Sequence, residues 1–270
     1  MINSWAYISH VWFVFEDLKL RTLSALILLL LLFLLAIIAP FLLTPSLYIL
    51  NVLFLRELFR LYSFKKEQNI FNLILLAVCI FPLFFSQNFL PVTFFLNGCL
   101  FFLILYLSKS MGLSFFIVYV NLSISFLLNL LVSQTELGGQ SFFVVLVLVV
   151  AFADIGGYFG GRIIGGPKVF EKISPNKTWA GIFFGWITVI TFYYILKVFN
   201  FFVSDFFVFV FFGIALSSQV GDFIESNIKR NLGVKDSGNL IPGHGGLLDR
   251  FDGLICASFF VKIIDFFLTT

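Results

Sequence analysis

Acidic and basic side chains crowd into one run of the chain, 218–253, which reads SQVGDFIESNIKRNLGVKDSGNLIPGHGGLLDRFDG. It holds Asp222, Glu225, Lys229, Arg230, Lys235, Asp236, His244, Asp249, Arg250 and Asp252. If a helix continues through Asp222, then Asp222, Glu225 and Lys229 share a face at i, i+3 and i+7, and Asp249 and Asp252 share one at i, i+3. Between them, Lys235, Gly238, Pro242, Gly243, Gly245 and Gly246 form a loop suited to bringing backbone N–H groups against a ligand. Carboxylates gathered near a membrane boundary repel one another unless a cation sits among them. Hard oxygen donors, with no cysteine and one histidine, select Mg2+ over zinc or copper. Lys177, Lys229, Arg230, Lys235 and Arg250 add positive charge around that ion. Singly, each reads equally as an anchor at the membrane surface; together they suit phosphoryl or nucleotidyl transfer, where charge on phosphate oxygens must be neutralised.

A second polar segment, 154–181, reads DIGGYFGGRIIGGPKVFEKISPNKTWAG. Its glycines at 156, 157, 160 and 161 are explained by close helix packing in a membrane. Asp154 is not, because an ionisable residue about one turn inside a span is costly without a compensating cation. Ser174, Pro175, Asn176, Lys177 and Thr178 predict a turn and a helix N-cap. A helix start of this kind also suits a phosphate, so capping and ligand binding both stand as readings of these residues.

These segments must be positioned by membrane helices. The 270 residues are 60% hydrophobic and 11% charged, with 41 phenylalanines, and the mean hydropathy is +1.07. That composition excludes an ordinary soluble globule and predicts an all-α, polytopic integral membrane protein. The net charge of +3 gives no reason to expect nucleic acid. A hydrocarbon core about 30 Å thick needs about 20 apolar helical residues. Polar breaks then give about nine spans, at 23–43, 46–62, 70–86, 89–107, 112–132, 142–161, 179–199, 201–221 and 252–268. The second contains Arg56, Glu57 and Arg60, and its arginines are explained by snorkelling near the segment end. Eight spans, with 46–62 lying in the interface, is the alternative count. With an N-in, C-out topology, 13 of the 17 basic residues fall on cytoplasmic segments. Three parts are expected: a cytoplasmic segment at 1–22, an N-terminal bundle of about five spans at 23–141, and a catalytic domain of about four spans at 142–270. Glu16 and Asp17 precede the first apolar run without a basic region, which predicts no cleaved signal peptide. Cys79, Cys99 and Cys256 lie in apolar runs without metal spacing and read as small apolar fillers.

The run from Ser226 through Lys229 and Arg230, Lys235, Asp236 and Gly238, then Ile241, Pro242, His244, Gly245, Gly246, Asp249, Arg250 and Asp252 resembles the signature of the phosphatidate cytidylyltransferases, or CDP-diacylglycerol synthases. The SQVGD run, 154–162, Ser174, Lys177 and Thr178 are also similar, so the resemblance extends over most of the chain. Two positions depart from the pattern: Gly157 stands where the family usually has alanine, and Ala180 where it usually has glutamate. The resemblance implies that CTP and phosphatidate react to CDP-diacylglycerol and pyrophosphate. It implies Asp154, Asp222 and Asp249 as catalytic residues, Asp222, Asp249 and Asp252 around Mg2+, and a second, monovalent cation such as K+. Ser174, Lys177, Thr178, Lys229, Arg230, Lys235, Asp236, His244 and Arg250 are then expected to meet substrate, with His244 as a loop-ordering donor or a proton shuttle. The family also implies a bacterial-type inner membrane, a site facing the cytoplasm, and a homodimer. A cytidylyltransferase for another lipid phosphate, such as an isoprenoid glycerophosphate, is the near alternative. A transporter is the distant one; it would carry paired repeats and charges at the bilayer midplane, whereas this chain collects its charge at one face.

Overall fold

The computed structural model describes residues 42–62, 78–85, 90–133, 137, 139–171, 173–202, 204–238 and 245–269. The segment 1–22, almost all of the span expected at 23–43, part of 70–86 and His244 lie outside these residues. Among the described residues the long helices are α1 (Leu43–Leu61), α2 (Leu90–Ser108), α3 (Met111–Val132), α4 (Gly139–Ile163), α5 (Trp179–Val198), α6 (Phe206–Asn231) and α7 (Leu248–Thr269). A 3-10 turn occupies Phe81–Phe85, and a two-stranded ribbon, β1 (Lys168–Phe170) and β2 (Ser174–Thr178), joins α4 to α5.

Among the described residues five helical stretches, 91–108 and the whole of α3, α4, α5 and α6, are long and apolar enough to cross a membrane. α1 and α7, also expected as spans, carry more charge: Arg56, Glu57 and Arg60 in one, and Asp249, Arg250, Asp252, Lys262 and Asp265 in the other. In α7 the charges of Lys262 and Asp265 are met within the protein. The Lys262 ammonium lies 2.9 Å from Asp265 and donates to Asn129 of α3 at 2.7 Å, which relieves the cost of burying it. Leu47, Phe54 and Leu58 of α1, Ile117, Val120 and Ile124 of α3, Phe143 and Leu146 of α4, and Leu254 and Val261 of α7 form a common core. Inside it, Asn51 donates to Asn121, and Asn121 to the carbonyl of Cys79, so α1 and α3 are also tied by polar contacts. The three cysteines are unpaired.

The ribbon was not legible as strands in the sequence. Gly165 and Gly166 take left-handed conformations, φ +67° and +94°, and turn the chain back after α4. Lys168 then pairs with Thr178 and Phe170 with Ser174, antiparallel with an irregularity between. Both strands of such a ribbon are edges, where Pro175 is tolerated despite lacking an N–H. Phe170 packs on Phe223 of α6 with ring centroids 4.4 Å apart, and Arg230 of α6 donates to the carbonyl of Ile173. The expected turn over 174–178 is instead the strand β2, but the expected cap holds: Thr178 accepts from the N–H of Gly181 and opens α5.

α4 and α5 pack together through glycine. A Cβ on Gly181 would sit 2.6 Å from the carbonyl oxygen of Gly157, and one on Gly185 2.7 Å from that of Ala153. Backbone cannot yield as a side chain does, so these glycines set the approach of the two helices. Gly185→Ala is therefore expected to destabilise the detergent-solubilised protein by about 1–3 kcal/mol, read as a lower thermal midpoint, although alanine is the better helix former. Gly98→Ala, where nothing lies within 4 Å, is the control and is expected to be neutral or mildly stabilising.

Candidate active site

The second halves of α4 and α6, the end of β2, the start of α5 and the first turns of α7 meet at one end of the bundle, together with Asp236 from the segment after α6. They enclose a cavity of about 1010 Å3. Asp154, Lys177, Thr178, Asp222, Lys229, Asp236, Asp249, Arg250 and Asp252 all line it. α6 runs on through Asn231, so the face expected from the spacing of Asp222, Glu225 and Lys229 exists. Lys229 reaches Glu225 at 3.5 Å within α6 and Asp249 at 2.6 Å across to α7. Lys177, beside the capping Thr178, pairs with Asp222. α6 and α7 come close enough for this because Gly221 and Gly253 lack side chains: a Cβ on Gly221 would meet the backbone of Asp252, and one on Gly253 the side chain of Ser218.

Asp249 is the most heavily bonded group of the site. Besides Lys229, it accepts from the N–H of Ser237 at 3.0 Å and of Gly246 at 2.8 Å. Burial works against its ionisation, but Lys229 and the two N–H groups outweigh it and hold the carboxyl below the usual range. Asp222 accepts from Ser226 at 3.2 Å, and Asp252 from the N–H of Gly253 at 2.7 Å. Both Asp222 and Asp154 lie within electrostatic reach of Asp252. The glycine-rich loop therefore does bring N–H groups together, but in the described part they are spent on carboxylates of the chain itself.

Not every expected residue faces the cavity. Ser174 lies in β2, Lys235 is exposed after α6, and Arg230 binds the carbonyls of Ile173 and Val234; none of the three lines it. Ala180, a departure from the family pattern, is not a lining residue either. Tyr158, Arg162, Asn176 and Gln219 line the cavity, though sequence did not single any of them out as a site residue. Asn176 and Gln219 sit inside the SPNKT and SQVGD runs, so their neighbours were the available signal. Gln219 accepts from the indole N–H of Trp186 and donates to the carbonyl of Ile182, tying α6 to α5.

Among the described residues no three His, Cys, Asp or Glu side chains form a ready-made metal centre. Among the described residues lining the cavity, the donors are nonetheless those a hard cation takes, carboxylate oxygens. Asp222 and Asp249 each already hold a lysine ammonium, the sign of charge such an ion supplies. Val147, Val150, Ala151, Ile182 and Leu254 line the same cavity and give it apolar surface as well. Anionic phosphates and an aliphatic chain can thus be accommodated together.

The chain is similar in sequence to several known proteins. The chain is 43% identical over 121 residues to the phosphatidate cytidylyltransferase of Brucella melitensis biotype 1, covering 44% of this chain and 45% of that one. It is 39% identical over 124 residues to the phosphatidate cytidylyltransferase of Staphylococcus epidermidis, covering 45% and 48%. The enzyme of the same name from Haemophilus influenzae is 43% identical over 130 residues, covering 46% and 45%. The matched stretch is thus about half the length of each relative. The sequence model of the cytidylyltransferase family matches far more, residues 19–268, and on that match the chain belongs to the cytidylyltransferase family.

Proposed function

We propose that this protein is a phosphatidate cytidylyltransferase. A phosphate oxygen of phosphatidate attacks the α-phosphorus of CTP; a new P–O bond forms, the bond to the β-phosphate oxygen breaks, and CDP-diacylglycerol and pyrophosphate result. The observation that carries the reading is one cavity lined together by Lys177, Lys229 and Arg250, by Asp154, Asp222, Asp249 and Asp252, and by aliphatic side chains. A phosphate monoester has a second pKa near 6 and is already largely dianionic at neutral pH, so its nucleophile needs little help from a base. The work of the site is then positional and electrostatic. Lys177 and Arg250 hold phosphate oxygens, Lys229 keeps Asp249 in place, and Thr178 fixes the start of α5 beside Lys177. Asp222 and Asp249, with Asp252 beside them, are the residues that would hold Mg2+, which when bound neutralises charge on the triphosphate. A second, monovalent cation belongs to the same proposal. Pyrophosphate release from CTP tests the reaction: it is expected on adding phosphatidate and not on adding diacylglycerol, which lacks the attacking phosphate.

The site is proposed to face the cytoplasm of a bacterial-type inner membrane, in a nine-span, N-in and C-out chain, because basic residues concentrate on the segments that carry it. A cysteine placed at Asn239 is then expected to react with a membrane-impermeant reagent in sealed inverted vesicles. Labelling only from the periplasmic side would reverse the orientation.

A further inference from the structure

Two carboxylates occupy the N–H groups around the glycine-rich loop, and the second comes from far away in sequence. Glu57 of α1 is buried, 1% exposed, while Arg56 and Arg60 beside it point outward. Its Oε1 accepts from the N–H of Leu247 at 2.7 Å, and its Oε2 from the N–H of Leu248 at 2.9 Å. Oε2 also accepts from the hydroxyl of Ser237 at 3.3 Å. Leu247, which immediately precedes α7, has no polar side chain with which to cap it. The orphan N–H groups at the start of α7 and the positive end of its dipole are therefore met by a carboxylate from another helix. The loop is shaped to admit it: a Cβ on Gly238 would lie 2.8 Å from Oε1 of Glu57, and one on Gly246 2.9 Å from it. Ser237 and Gly246 also hold Asp249, so Glu57 and Asp249 grip the same two ends of the loop.

We propose that Glu57 is a positioning residue of the cytidylyl-transfer site: by holding Ser237, Leu247 and Leu248 it fixes where Asp249, Arg250 and Asp252 stand in the cavity. The N-terminal helices thereby take part in the chemistry without contributing a group that touches substrate. This rests on the function proposed above.

The test is Glu57→Gln in the full chain, which keeps the shape and one acceptor oxygen but turns an NH2 toward the N–H donors. Turnover with CTP and phosphatidate is expected to fall roughly 10- to 100-fold, as for other residues that orient a ligand of the site. KM for CTP is expected to rise by a smaller factor than kcat falls, because Arg250 shifts while Lys177 and α5 are left in place. Hydrogen exchange at Leu247 and Leu248 is expected to quicken, while α4 and α5 keep their protection. Gly238→Ala, which pushes on Glu57 from the loop side, is expected to give the same signature, and it carries the test if Glu57→Gln does not fold. A folded variant with normal kcat, or unchanged exchange at Leu247 and Leu248, overturns the proposal. Wild-type protein that makes no CDP-diacylglycerol would instead overturn the function reading, and the exchange measurement would still decide whether Glu57 anchors α7.

Discussion

Asp222→Asn or Asp249→Asn is expected to reduce turnover by roughly a thousandfold or more, since metal assistance is worth several kcal/mol and each 1.36 kcal/mol is about tenfold in rate. Either change keeps size and polarity but removes one negative charge from the pair proposed to hold Mg2+. Combining them is expected to cost little beyond the worse single change, because residues that act as a unit lose their function once. The two single variants are nevertheless distinguishable. Asp249 also fixes the N–H groups of Ser237 and Gly246, whereas Asp222 bonds only Ser226 and Lys177 in the contacts described above. Asp249→Asn is therefore expected to lower the thermal midpoint as well, and Asp222→Asn to leave it nearly unchanged. Initial rates across a Mg2+ titration, with size-exclusion profiles to verify folding, read both effects. Near-normal rates and an unchanged Mg2+ requirement in either folded variant would end the two-carboxylate assignment.

Lys177→Ala is expected to raise the KM for CTP or phosphatidate by roughly 10- to 100-fold, the scale of one lost charged hydrogen bond. Lys168→Ala is expected to change it less than about twofold, as exposed surface charges contribute little. The two lysines lie in paired strands of one ribbon, yet only Lys177 lines the cavity and pairs with a carboxylate of the site. Steady-state kinetics on both variants decides the matter, and equal effects would remove the distinction between a phosphate contact and a surface anchor.

How far the sequence revealed this arrangement depended on the range of the interactions involved. The pairing of Asp222, Glu225 and Lys229 on one face follows from helical period alone, and α6 provides it. Thr178 as a cap is equally local. Within the described residues the helices at 46–62 and from 89–107 onward followed from apolar length, with ends shifted by up to ten residues where α6 continues to Asn231, whereas the described end of 70–86 is the 3-10 turn Phe81–Phe85. The ribbon was missed because 168–178 has neither a regular alternation nor a hairpin dipeptide; Phe223 and Arg230, more than 45 residues away, hold it down. Arg230 looked like a phosphate contact beside Lys229, but successive residues on a helix face different ways, and its guanidinium serves the ribbon instead. Glu57 carried no signal at all. It stood between two arginines that snorkelling explained, and its partners are about 190 residues further along the chain.

The central claim is tested most directly by incubating the purified full chain in detergent with CTP labelled at the α-phosphate, Mg2+ and a single lipid phosphate, and counting label in the organic extract. With phosphatidate, label is expected to enter a lipid that co-migrates with CDP-diacylglycerol, in step with pyrophosphate release, and to vanish when Mg2+ is chelated. An isoprenoid glycerophosphate is expected to be a poor acceptor. Label that stays in the aqueous phase with phosphatidate, or enters only the isoprenoid lipid, would contradict the account.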